Sequence, residues 1–170
     1  MIRFIVRIFL SPLAIAIFDL MILFPLLLAI WEVAHSGWKH EQGLHEALDI
    51  IEGMGVILIG WGVALEERES LRHIFRLTGN SDEGWQAIVD HMCHSAGLGL
   101  LIFGLFAEMC IEAIRLPNAI INTAGIDHLV LLGSLAFLVL SIYVMVHHIF
   151  SLIRALFAGK HVVSSQSPSH

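Results

Sequence analysis

Charge is what this chain has least of. Charged residues make up 14% of its 170 residues, against about 25% in a soluble domain. Hydrophobic residues reach 57% and the mean hydropathy is +0.82. That balance excludes a disordered chain, a coiled coil and an ordinary water-soluble enzyme. Basic charge is scarcer than acidic, with 9 Lys and Arg against 15 Asp and Glu and a net charge of −6. A nucleic-acid partner is excluded on that ground, because it requires a concentrated basic face. Cysteine is nearly missing: Cys93 and Cys110 both lie in apolar stretches. On one helix they would stand about 25 Å apart at about 1.5 Å per residue, too far to bridge. They read as packing residues, with soft metal ligation by Cys93 as the alternative. No nucleophile motif, phosphate loop or dinucleotide fingerprint occurs, so no catalytic residue is assigned and enzyme activity is left open.

Apolar runs are what the chain has in quantity. Four stretches approach the roughly 20 residues needed to cross about 30 Å of hydrocarbon. They run from Leu13 to Trp31, Ile50 to Leu65, Ala96 to Ala107 with extensions on both sides, and Leu129 to Val146. Lipid offers no partner to unpaired backbone groups, so segments of this length must be helical. The expected fold is an all-α integral membrane protein, an antiparallel four-helix transmembrane bundle over residues 1–160. Residues 161–170, rich in serine, read as a disordered tail. Pro12 separates a short interfacial helix carrying Arg3 and Arg7 from the first span, and Pro25 marks a kink within it. Arg3 and Arg7 resemble the start of a signal peptide, but the apolar region is too long for one and holds Asp19, so it reads as a true span.

Lys and Arg set the expected orientation. Arg3, Arg7, Arg68, Arg72, Arg76, Arg154 and Lys160 fall on one side of the spans, and only Lys39 and Arg115 on the other. By the positive-inside rule both termini and the middle loop are cytoplasmic, with a prokaryotic plasma (inner) membrane as the location. The partners expected are the lipid bilayer and other membrane subunits.

The 11 histidines are the compositional oddity. With the topology set, the ionisable residues sort into two layers, each drawing on all four helices. The outer layer contains Glu32, His35, His45, Asp49, Glu52, Glu108, Glu112, Asp127 and His128. Glu32 and His35 are spaced i, i+3; His45, Asp49 and Glu52 are i, i+4, i+7; Glu108 and Glu112 are i, i+4. All are same-face spacings on a helix. Carboxylate-bridged di-iron bundles use a comparable stock of Glu-x-x-His and Glu, so these residues are candidate ligands for Fe, Zn or Mn. The simpler reading is helix ends solvated at the bilayer surface. Glu52 and Glu108 are the least surface-like, and a carboxylate below the interface is a functional candidate by default. Asp19 belongs with them.

The inner layer offers His91, His94, His147 and His148 as cofactor ligands, with Asp19, Glu66 and Asp90 nearby. His94 and His147 fall at similar depths on successive spans. Small residues follow His94, and Gly53, Gly55, Gly60 and Gly62 lie on the second span. Facing imidazoles with room beside them are what a b-type haem needs. Glycines in membrane helices also serve as close-packing devices, as Gly60-x-x-x-Ala64 and Ser95-x-x-x-Gly99 suggest. The expected function is transition-metal binding through these layers, in membrane electron transfer or metal handling. The alternatives are a haem b cytochrome subunit and a non-catalytic assembly subunit of a membrane complex.

Overall fold

The computed structural model describes residues 2–36, 41–75, 83–118 and 127–165. Among the described residues every regular element is a helix: α1 (Ile2–Phe9), α2 (Pro12–Ser36), α3 (Glu41–Glu66), α4 (Arg68–Ile74), α5 (Glu83–Asn118) and α6 (Asp127–Ser165). Four segments are long and apolar enough to cross a membrane: Pro12–His35, Glu46–Glu66, Gly84–Ala113 and Leu129–Phe157. The third is 30 residues long, reaching well beyond its strictly apolar centre. α6 continues to Ser165, so the segment read as a tail begins as helix. The turn Thr78-Gly79-Asn80-Ser81 lies outside the described residues.

Local chemistry explains the breaks. Pro12 opens α2, where its missing N–H costs nothing and its fixed φ suits the first helical turn. Ser11 caps that turn, its Oγ accepting from the Ala14 N–H at 3.2 Å. The carbonyl of Leu10 is thereby left outside the helix ladder, and Arg68 takes it up, with Nε and Nη2 donating at 3.1 and 2.9 Å. α3 and α4 meet at Glu67, and the ladder nearly persists through it: Glu67 N–H donates to Val63 O and Leu71 N–H to Glu67 O.

Burial follows a seven-residue period. On α2 it takes Pro12, Asp19, Leu26 and Val33; on α3, Ile51, Leu58 and Leu65; on α5, Cys93, Leu100 and Ala107. α6 buries two such rows, Leu131, Leu138, Met145 and Leu152 beside Ser134, Ser141, His148 and Ala155. A seven-residue row is the seam of coiled-coil-like helix packing, shared by four-helix bundles. In lipid such packing rests on van der Waals contact and close backbone approach.

The closest approach joins α3 and α5. A Cβ on Gly62 would lie 2.7 Å from the Gly97 carbonyl oxygen, and one on Gly97 would lie 2.6 Å from that of Gly62. Seven residues along, a Cβ on Gly104 would lie 2.9 Å from the Gly55 oxygen. Gly60 has nothing within 4 Å, and a Cβ on Gly99 would meet only Val144, in ordinary contact. The close-packing pairs suggested by sequence, Gly60-x-x-x-Ala64 and Ser95-x-x-x-Gly99, are therefore not where the two backbones meet.

Candidate functional site

The buried polar groups of α6 occupy one seven-residue row, and two of the three satisfy themselves. Ser134 Oγ donates to Val130 O at 3.1 Å, and Ser141 Oγ to Phe137 O at 2.9 Å, the usual back-bond to the preceding turn. His148 has no such local acceptor. Its Nδ1 lies 2.8 Å from Asp19 Oδ2 on α2. Asp19 is fully buried, and its other oxygen accepts the indole N–H of Trp61 from α3 at 2.7 Å. Three helices thus supply one chain, Trp61–Asp19–His148.

A carboxylate taken out of water needs such partners, because an unpaired buried charge costs several kcal/mol. The far nitrogen of the imidazole does not share in this compensation. His148 Nε2 is buried and has no hydrogen-bond partner among the described residues. In the neutral tautomer that donates Nδ1–H to Asp19, Nε2 carries the ring's lone pair. A carboxylate holding the second nitrogen of an imidazole in this way is the arrangement that orients histidine ligands on metals.

His148 also lines a cavity of about 380 Å³ between α5 and α6, within the range of small-molecule sites. His91, Ser95 and Ala96 border it from α5, and Tyr143 and His147 from α6. Tyr143 and His147 stack with ring centroids 6.4 Å apart. His94 is exposed and does not line the cavity. The structure therefore gathers His91, His147 and His148 at one opening and leaves His94 outside it.

About two turns from Trp61 toward the α4 end, a cluster around Arg68 ties the helices together. Arg68 is almost fully buried and pairs with Asp90, which also accepts from Arg72 Nη1 at 2.6 Å. Gln86 Oε1 accepts from Arg68 Nη2 at 3.3 Å. Burial pushes the Arg68 guanidinium down to about 10. The group still carries its charge at neutral pH, matched by the adjacent carboxylate.

The outer layer assembles in part. Glu52 of α3 and Glu108 and Glu112 of α5 each bring one carboxylate oxygen within 4.8 Å of the others. Gly55 makes the room, since a Cβ there would stand 3.0 Å from Glu108 Oε2. Among the described residues this is the one group of three or more potential ligands so placed. Glu32 and His35 are exposed at the end of α2, with His35 stacked on Trp31, and Asp49 is exposed on α3. None of the three joins the group. The side chains of His45 and His128 lie outside the described residues.

Trp61 carries a role that its sequence position does not announce. Beside apolar neighbours near a span end it reads as an interfacial anchor, whereas its indole is the second donor to Asp19. Asp19 itself is conspicuous in sequence as an acid within an apolar run. No family model, curated protein or solved structure matches the chain.

Proposed function

We propose that this is a small membrane protein that holds a transition metal between its helices, in electron transfer or metal handling, with His148 Nε2 as the ligand. One observation carries the reading. His148 is 2% exposed, its Nδ1 is engaged by Asp19, its Nε2 has no hydrogen-bond partner among the described residues, and the residue borders a cavity together with His91 and His147. A buried imidazole nitrogen without a partner costs free energy, and coordination of a metal offsets that cost.

Residue pairings support an antiparallel, up-down-up-down bundle for this reading. Asp19 meets Trp61 and Leu10 meets Arg68. Gly55 meets Gly104 and Gly62 meets Gly97. Trp85 donates to Ala155 O, and Ser134 lies 3.5 Å from Ala107 O. In each helix pair one number rises as the other falls. The distribution of Lys and Arg supports cytoplasmic termini for this reading. A cysteine placed at Lys39 is expected to react with membrane-impermeant reagents from the non-cytoplasmic side only. Reaction from the cytoplasmic side reverses the orientation.

A second reading puts the ion in the carboxylate layer. It is favoured by the convergence of Glu52, Glu108 and Glu112, whose hard oxygens suit Fe, Mn or Zn. Elemental analysis of the protein purified in detergent separates the two. The histidine reading predicts about one equivalent of metal, lost in His148→Ala and kept in Glu108→Gln. The opposite pattern assigns the metal to the carboxylates. No metal in the wild-type protein defeats both and leaves a structural subunit.

A further inference from the structure

Membrane-spanning helices turn their ionisable side chains toward the bundle interior as a rule, because lipid offers them no partner. α5 and α6 depart from that rule together. His91 and Ser95 on α5, and Tyr143 and His147 on α6, are exposed within the two spanning segments, and all four border the cavity of about 380 Å³. The indole N–H of Trp85 donates to the Ala155 carbonyl at 3.1 Å, which sets the start of the α5 span level with Ala155. His91 then stands about 9 Å and His147 about 12 Å further in, at about 1.5 Å per residue. The cavity therefore lies inside the span ends and opens sideways, toward lipid.

Its lining selects among ligands by charge. Among the described residues, no Lys, Arg, Asp or Glu borders it. An anionic headgroup finds no cation there, and a hydrated cation finds no carboxylate. The polar groups at the opening are the imidazoles of His91 and His147 and the hydroxyls of Ser95, Tyr143 and Ser151. Hydroxyls and neutral imidazoles each donate and accept, so this wall suits a neutral guest that carries oxygen. Met92, Ala96 and Val144 make the rest of the wall apolar. Tyr143 and His147, stacked with centroids 6.4 Å apart, add flat rings to the rim.

We infer that this cavity binds the head ring of a lipid-soluble quinone or its quinol, with the apolar tail left in the bilayer. A quinone ring carries two carbonyl acceptors, and a quinol carries two hydroxyls that donate as well as accept. Groups that do both pair with either form, and neither form brings a charge out of water. The volume falls in the range of small-molecule sites, and the sideways opening gives a lipid-soluble molecule its entry. The inference goes beyond the metal assigned to His148 and does not depend on it, because the enclosed Nε2 of that residue takes no part.

The test uses the full chain in phosphatidylcholine nanodiscs, titrated with a decyl-substituted benzoquinone, with empty nanodiscs as the blank for partition into lipid. Binding by the wild-type protein is expected to saturate. Ser95→Ala and His147→Ala each remove one hydrogen-bonding group and should weaken binding about 2- to 12-fold. His94→Ala, outside the cavity, should match the wild type. Decylbenzene, which keeps the ring and tail and lacks the oxygens, should not compete. Photolabelling of the wild-type protein with an azido derivative of the quinone needs no variant, and should mark α5 between His91 and Ala96 and α6 between Tyr143 and Ser151. Uptake equal to the blank, label confined to other segments, equal competition by decylbenzene, or unchanged affinity in both Ser95→Ala and His147→Ala overturns the inference. Displacement of the quinone by phosphatidylglycerol, abolished in Arg154→Ala, overturns it in favour of a lipid headgroup.

Discussion

Asp19 and Glu108 are both carboxylates on membrane-spanning helices, and the bundle surrounds them with opposite materials. Asp19 receives an indole N–H and an imidazole from two other helices. It is enclosed by apolar side chains and hands its polarity on to a nitrogen. Glu108 is half-buried and gathers with two further carboxylates, Glu52 and Glu112. One level leaves a single buried imidazole nitrogen beyond the Asp19 contact, and the other gathers carboxylate oxygens. The contrast separates the chemistries each level suits: a soft-to-borderline nitrogen ligand in one, hard oxygen ligands in the other. Between them runs the glycine seam of α3 and α5, which fixes the spacing of the two levels.

Substitutions break this contrast in a definite order. Asp19→Ala should have the largest effect, because it strands both the Trp61 N–H and the His148 Nδ1. Each buried donor left without its acceptor costs about 1–3 kcal/mol, so the two together should cost roughly 2–6 kcal/mol, measurable by denaturant titration in mixed micelles. A loss under about 1 kcal/mol would mean that water reaches the site. Gly62→Ala comes next, since the added methyl group runs into the Gly97 backbone. Overpacking of that kind costs about 1–3 kcal/mol. Its control is Gly60→Ala, which enters open space and should gain about 0.5–1 kcal/mol from helix propensity. Trp61→Phe keeps the ring and removes one donor to Asp19, for a loss of about 1–3 kcal/mol. Glu108→Gln should be smallest and of opposite sign. In metal-free protein, relief of like charge at i, i+4 with Glu112 is worth about 0.2–0.5 kcal/mol. A large loss in Glu108→Gln would place the carboxylates in the same structural class as Asp19 and erase the distinction.

The depth of a residue is legible in this sequence, and its direction around the helix is less so. Counting from span ends sets Glu52 and Glu108 below the interface and places His147 level with His94, because rise per residue is fixed. Which of His91 and His94 faces the cavity depends on how α5 is rotated, and that rotation is set by the seam. Gly62 and Gly60 illustrate the difficulty. Both are glycines in one span, yet about 200° apart around the helix at 3.6 residues per turn, and only Gly62 meets the opposing backbone. Gly60-x-x-x-Ala64 looks like a packing motif in isolation. The actual seam uses the seven-residue pairs Gly55–Gly62 and Gly97–Gly104, which a search for four-residue spacing passes over. The span itself is apolar on every side, so no amphipathic stripe points to the buried face. Trp61 shows the same limit: an aromatic near a span end reads as an anchor until the neighbouring helix is found to carry Asp19.

The state of the His148 ring decides most directly between a neutral donor atom and something else. In 15N NMR of the metal-free protein with labelled histidine, His148 should show a protonated Nδ1 and an unprotonated Nε2, and Asp19→Asn should disturb that pattern while His94→Ala leaves it alone. A His148 ring protonated at Nε2, alone or together with Nδ1, would contradict the assignment, because no lone pair would then be left to bind a metal.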